Sequence, residues 1–139
     1  GLSYTTYAYD DLVVTTPTVA PDGTLEVTVQ VANAGAVAGE EIVQLYVGFA
    51  GSTVERPVKL LRAFDRIALQ PGETRTVRLA VDAADLAWFN PDTMAWEVEA
   101  MTYAVFVGPS SSANDLLAAS FTVEAARPGN SRQTADVRP

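Results

Sequence analysis

Apolar and polar residues alternate with a period of two along much of this chain. The cleanest case runs from Thr24 to Ala32, where Leu25, Val27, Val29 and Val31 are interleaved with Glu26, Thr28 and Gln30. Successive side chains on a strand project to opposite faces, so this spacing predicts one buried and one wetted face. Burying the four aliphatic side chains stabilises the fold by roughly 1.5–3 kcal/mol each before entropy is counted. A slip of one residue would turn all four to water, which makes the register firm. Tyr7 to Val14 reads as an earlier strand with Tyr7, Tyr9 and Leu12 facing in. Glu40 to Val47 reads as a strand whose Ile42–Val47 part is an apolar, β-branched run with no helical period, and Lys59 to Leu69 is a further extended run. Gln70-Pro71-Gly72-Glu73 separates that run from Thr74 to Val81. Pro fixes φ at the first central position and Gly accepts positive φ at the second, so a type II turn is expected. Beyond it, Val77, Leu79 and Val81 alternate with Thr76, Arg78 and Ala80.

The remaining segments are shorter. Pro17 and Pro21-Asp22-Gly23 punctuate the early chain, and Asn33 to Gly39 reads as a loop from its Asn and two Gly. Asp82 is placed to cap a single helical turn over the residues that follow it. Trp88-Phe89 and Trp96-Glu97-Val98 flank Asn90-Pro91-Asp92-Thr93, a short hairpin with Pro at its first central position. Thr102 to Val107 and Ala118 to Val123 are the last two strands. With about seven strands, short connections and no long helical pattern, the expected fold is all-β, a two-sheet sandwich of the fibronectin type III or immunoglobulin-like kind. Tyr103 then stands where such sandwiches place a corner tyrosine. The expected organisation is a connector over residues 1–6 leading from an upstream domain, the sandwich over 7–124, and a polar, aperiodic tail over 125–139.

Composition narrows the chemistry. The 139 residues include no Cys and no His. That removes zinc held by those ligands, a thiol nucleophile, a serine triad with a His base, and the disulfide-bearing form of the immunoglobulin fold. The formal net charge of −8 disfavours nucleic acid and anionic membrane surfaces as partners. No apolar run approaches a membrane span, and no signal-peptide pattern is present.

The residues also resemble a known family. Gly1-Leu2-Ser3-Tyr4-Thr5 is followed by Asn33-x-Gly35 and by Gly39-Glu40-Glu41-Ile42-Val43-Gln44-Leu45-Tyr46-Val47. Arg56-Pro57-Val58-Lys59-x-Leu61-x-x-Phe64, Leu69-x-Pro71-Gly72-Glu73-Thr74 and Asp85-Leu86-Ala87-Trp88-Phe89 come next. Trp96-x-Val98-Glu99 and Tyr103-x-Val105-x-Val107-Gly108-x-Ser110-Ser111 complete the series. In order and spacing this resembles the C-terminal fibronectin type III-like domain of family 3 glycoside hydrolases, the β-glucosidase and β-xylosidase enzymes. The chain departs from the family pattern at Ala63 and Ala95, where Gly is usual, and at Ala100-Met101-Thr102, where Pro-Gly-Glu is usual. The resemblance implies an accessory, stabilising role beside a (β/α)₈ barrel and an α/β domain of the same enzyme, with homodimer contacts as a further candidate. It implies removal of terminal β-linked glucose or xylose by a retaining mechanism, with the catalytic carboxylates upstream and none in this chain. No cofactor is implied.

Candidate site residues follow. Trp88, Phe89 and Trp96 are candidates for a stacking platform, since a flat aromatic face matches the C–H face of a pyranose; the competing reading closes the end of the sandwich with them. Tyr4, Arg56 and Lys59 are candidates for an interdomain contact, the latter two concentrating positive charge in an acidic chain. Glu97 and Glu99 share a face if extended, but retaining hydrolysis needs carboxyls about 5–5.5 Å apart, and surface charge is the expected role. Asp82, Asp85, Asn90 and Asp92 are the oxygen ligands from which a calcium site would be drawn, at a spacing that matches no EF-hand loop, and no metal is assigned.

Overall fold

The computed structural model describes residues 6–54, 56, 58–112 and 115–125. The strands are β1 (Tyr7–Val14), β2 (Thr18–Val19), β3 (Thr24–Asn33), β4 (Gly39–Gly48), β5 (Lys59–Leu69), β6 (Thr74–Asp82), β7 (Trp88–Asn90), β8 (Ala95–Glu97), β9 (Thr102–Gly108) and β10 (Leu117–Val123). They form a three-stranded sheet β1-β3-β6, a five-stranded sheet β2-β10-β9-β4-β5, and a separate β7-β8 hairpin. The seven long strands are those legible in the periodicity. The expected hairpin across Pro91 forms as β7 and β8, and the addition is the two-residue β2, which pairs in parallel with β10. Residues 1–5 of the expected connector and 126–139 of the expected tail lie outside the described residues.

The core is the space between the two sheets. Leu25, Val27, Val29 and Val31 are fully buried from one side, and Val43, Leu45, Val47, Val105 and Val107 from the other. Across the β3–β6 pair, Leu25 faces Val81, Val27 faces Leu79 and Val29 faces Val77, so the alternation of both strands selects one register. β1 does not hold a strict alternation. Asp11 takes φ 55°, and the pairing with β3 shifts between Asp10 and Val13. This bulge lets odd-numbered Tyr7 and Tyr9 and even-numbered Leu12 and Val14 all pack on the core.

The Gln70–Glu73 turn forms as expected, with Gly72 at φ 80° and the Glu73 N–H donating to the Gln70 carbonyl at 3.0 Å. It does not make a hairpin within a sheet. β5 pairs with β4 and β6 with β3, so the turn carries the chain from one sheet to the other. Asp82 precedes a 3₁₀ turn over Ala83–Leu86 but does not cap it with its side chain; Asp82 Oδ1 instead accepts from Thr24 Oγ1 at 3.1 Å. Tyr103 is the corner tyrosine. Its hydroxyl donates to the Glu99 carbonyl four residues upstream at 2.8 Å, and its ring stacks on Phe121 with centroids 5.3 Å apart.

One buried polar side chain ties the end of the sandwich together. Asn33, at the end of β3, is 1% exposed. Its amide nitrogen donates to the carbonyls of Val37 at 2.9 Å and Leu69 at 3.2 Å, and its Oδ1 accepts from Gly35 N–H at 2.9 Å. Its backbone N–H donates to Glu73 and its carbonyl accepts from Gly72. One residue therefore joins the first sheet, the loop into β4, the end of β5 and the crossing turn. Asn33→Ala strands the buried Leu69 carbonyl and leaves the half-buried Gly35 N–H without its acceptor. A loss of about 2–4 kcal/mol in unfolding free energy is expected, measured by chemical denaturation against Asn90→Ala on the exposed hairpin as control.

Candidate functional site

The densest polar cluster lies where the segment after β4 meets the segment after β8. Arg56 and Glu99 form an ion pair at 3.0 Å with side chains only 8% and 12% exposed. The other guanidinium nitrogen, Nη1, donates to the Leu86 carbonyl at 2.9 Å, and the guanidinium lies 4.6 Å from the centroid of the Phe49 ring. Glu99 also accepts from the Ser52 hydroxyl and from the backbone N–H and hydroxyl of Thr53, the latter two at 3.0 Å. Burial pushes the Glu99 carboxyl upward, but the Ser52 and Thr53 hydrogen bonds and the Arg56 charge together outweigh it and hold the group below the ordinary glutamate value. Among the described residues these polar contacts are internal to the domain, so the cluster clamps the β4–β5 connection onto the corner below Tyr103.

This alters the reading of the basic segment. Arg56, expected at an interdomain contact, turns into its own domain because a carboxylate, a carbonyl and an aromatic face converge on it. Lys59 turns the other way, with Nζ 5.6 Å from the centroid of Phe106 on the outer face of the five-stranded sheet. Tyr4 lies outside the described residues.

The aromatic trio is split by the pleat. Phe89 stands opposite Trp96 in the β7–β8 pair, and Trp88 stands opposite Glu97. Neighbours on a strand point to opposite faces, so Trp88 projects away from the other two. Trp96 is 71% exposed and meets Phe89 edge to face at 5.6 Å and 70°, which offers one free indole face in place of a three-ring platform. Neither does the structure pair Glu97 with Glu99. Glu97 accepts from Asn90 Nδ2 at 3.0 Å and Thr93 Oγ1 at 2.7 Å, bonds that hold its pKa low, and it stabilises the hairpin loop. The oxygen ligands considered for calcium are likewise drawn apart, with Asp82 on Thr24 and Asn90 on Glu97. Among the described residues no group of three or more acidic side chains gathers as a metal ion requires.

A family model described as the fibronectin type III-like domain matches residues 41–111. The chain is 40% identical over 111 residues to thermostable β-glucosidase B of Acetivibrio thermocellus, covering 80% of this chain and 15% of that protein. It is 42% identical over 124 residues to a β-xylosidase of Formosa agariphila, covering 89% of this chain and 17% of that protein. A solved β-glucosidase involved in saponin metabolism from intestinal bacteria superposes with a TM-score of 0.80 at 35% identity, over 88% of this chain and 17% of that one. The chain thus spans only 15% and 17% of the length of the two relatives.

The clamp generates a contrast between two ion pairs. Arg56→Ala leaves Glu99 buried without its counter-charge, and a loss of about 3 kcal/mol is expected. Arg78→Ala removes an exposed partner of Glu26 and should change stability by about 0.5 kcal/mol or less. The pH dependence has a definite sign. Because the folded Glu99 carboxyl titrates below its ordinary value of 4.5, its contribution is complete above that value and fades as pH falls through the folded pKa. Glu99→Gln should therefore be less stable than the parent at neutral pH, with the gap closing in acid, as followed by thermal melts across that range.

Proposed function

The chain belongs to the fibronectin type III-like domain family, and from that premise we propose that it is the C-terminal accessory domain of a family 3 glycoside hydrolase. The parent enzyme removes terminal β-linked glucose or xylose by a retaining mechanism, with its catalytic carboxylates upstream of this domain. The role of this domain is to pack on those domains and stabilise them. The observation that carries the reading is the pattern of coverage: most of this chain matches a small part of relatives named as β-glucosidases and a β-xylosidase. The site supports it, because Glu97 and Glu99 are each engaged in structural hydrogen bonds and do not face one another. Lys59, held at the outer face, is the interdomain contact among the residues singled out in the basic segment.

A second reading, carbohydrate binding, draws on the exposed indole of Trp96 with Phe89 beside it. It predicts that the native polypeptide is retarded in gels containing soluble β-glucan and that Trp96→Ala abolishes the retardation. The accessory reading predicts no difference between the two proteins in that gel.

Removal of residues 7–124 from the parent enzyme should lower its melting temperature by about 5 °C or more, since an intramolecular partner that binds only the folded state stabilises it. Differential scanning calorimetry of the truncated and intact enzymes measures this. An unchanged melting temperature would count against the accessory role.

A further inference from the structure

The two sheets of the sandwich differ on the faces turned away from the core. The outer face of the three-stranded sheet carries Glu26, Thr28 and Gln30 on β3 beside Arg78 and Thr76 on β6. That is the ordinary wetted side of an antiparallel sheet. The five-stranded sheet instead sets large apolar side chains among the polar ones on its outer face. Val43, Leu45 and Val47 point inward and are fully buried, so Ile42, Gln44 and Tyr46 point outward. The register sets Phe64 opposite Gln44, Leu61 opposite Tyr46 on one flank, and Phe106 opposite Tyr46 on the other. Phe64 is 66% exposed and Val58 86%, with Ile42 and Leu61 also in contact with water. Between Val58, Lys59, Phe106 and Leu116 lies an apolar hollow of about 280 Å³.

We propose that this outer face of β4, β5 and β9 is the surface on which the domain docks, and that its occupant is a catalytic domain lying before Gly1 in the same polypeptide. The inference rests on the accessory role and says which of the two sheets performs it. Three observations select that occupant. The relatives extend far beyond the matched region, so most of such a polypeptide lies outside this domain. The described chain starts at the margin of this face: Tyr7 and Leu116 line one hollow, and Leu116 lines the next with Phe106. A domain arriving at Thr6 is thus tethered beside the apolar surface, at an effective concentration that an untethered second copy would not reach. Charge completes the match. In a chain of net charge −8, this face carries Lys59 and Arg66 on β5 against Glu40 on β4, a local excess of positive charge. Among the described residues Arg66 meets Glu40 in an exposed contact at 3.6 Å. The occupant is therefore an apolar surface bordered by carboxylates, with Phe64 as the aromatic anchor.

The test places a photoreactive group at the anchor of the full-length native polypeptide. Phe64→p-benzoylphenylalanine is irradiated and the crosslinked peptides are mapped by mass spectrometry. Phe64 is largely exposed, so the substitution leaves the fold of the sandwich intact. The expected result is an intramolecular crosslink to a segment before Gly1. In the same protein, hydroxyl-radical labelling of Phe64, Leu61 and Val58 is expected to fall about tenfold below the unfolded chain, while Val13 on β1 stays labelled. A crosslink to the same peptide of a second molecule, reversed by dilution, would overturn the proposal in favour of a dimer. A crosslink confined to residues 1–5 or 126–139 would overturn it in favour of self-coverage. Full labelling of Phe64 in the native enzyme would overturn it outright while leaving the accessory role standing. A native polypeptide no larger than this chain would instead remove the accessory role itself.

Discussion

The sandwich depends on the hydrogen bonds of Asn33. Each sheet has its own ladder, but a hydrophobic core by itself does not fix how two sheets are aligned at their ends. Asn33 supplies that alignment with both side-chain polar atoms and both backbone groups. From the end of β3 it holds the loop entering β4, the last carbonyl of β5 and the Pro71-Gly72 turn. A buried amide with each group satisfied contributes direction where aliphatic contacts contribute only area. The crossing turn needs this. Its positive φ at Gly72 and the Gln70–Glu73 hydrogen bond define its shape but not which sheet receives the next strand. Bonds from Gly72 and Glu73 to the Asn33 backbone deliver β6 beside β3.

Strand identity was legible in the sequence because burial is decided by spacing. Thr24 to Ala32 and Thr74 to Val81 allow only one face inward, and the structure buries that face. The corner role of Tyr103 was legible for a similar reason: a large aromatic at the start of a strand brings a hydroxyl that must find a nearby carbonyl. What spacing does not encode is the partner of a residue distant in sequence. Arg56 and Glu99 are 43 positions apart, and a guanidinium is expected outside until its counter-charge is placed. The inward set Tyr7, Tyr9 and Leu12 already broke the alternation of β1, but the bulge at Asp11 that reconciles odd with even positions is located only by the register against β3. The stacking trio failed on elementary geometry. Adjacent Trp88 and Phe89 on an extended strand do not share a face, and the β7–β8 register then fixes which of them meets Trp96.

The apolar outer face of the larger sheet was present in the sequence without being readable as such. Ile42 to Val47 appears as a hydrophobic run broken only by Gln44, and such runs belong to strands covered on both sides. Here, among the described residues, large apolar side chains on the second side stay open to water. Small residues on the same face shape it further. Gly48 lies under Phe106, where a Cβ would come within 2.9 Å of the ring, and Ala104 stands beside it in the register. The aromatic ring can therefore lie down on the sheet and leave the hollow beside it. A wetted face would gain nothing from that arrangement; a face that receives another surface gains a recess for it.

The buried clamp and the exposed face are two consequences of one segment. Between β4 and β5 the chain leaves the sheet at Gly48 and returns at Lys59. Arg56 holds that excursion by its Glu99 pair, its Leu86 hydrogen bond and its contact with Phe49. Phe49 N–H meets the Val58 carbonyl at 3.3 Å, closing the return. With Arg56 fixed inward, Val58 and Lys59 are delivered to the outer face at defined positions, one 86% exposed and the other over Phe106. Two cations three residues apart thus serve opposite ends. The guanidinium is desolvated because three kinds of partner surround it, and the ammonium stays at the margin because its longer, flexible stem lies along apolar surface while its charge remains available. Exchanging the two residues would lose both arrangements, since an ammonium cannot make the forked contact to Glu99 and the Leu86 carbonyl.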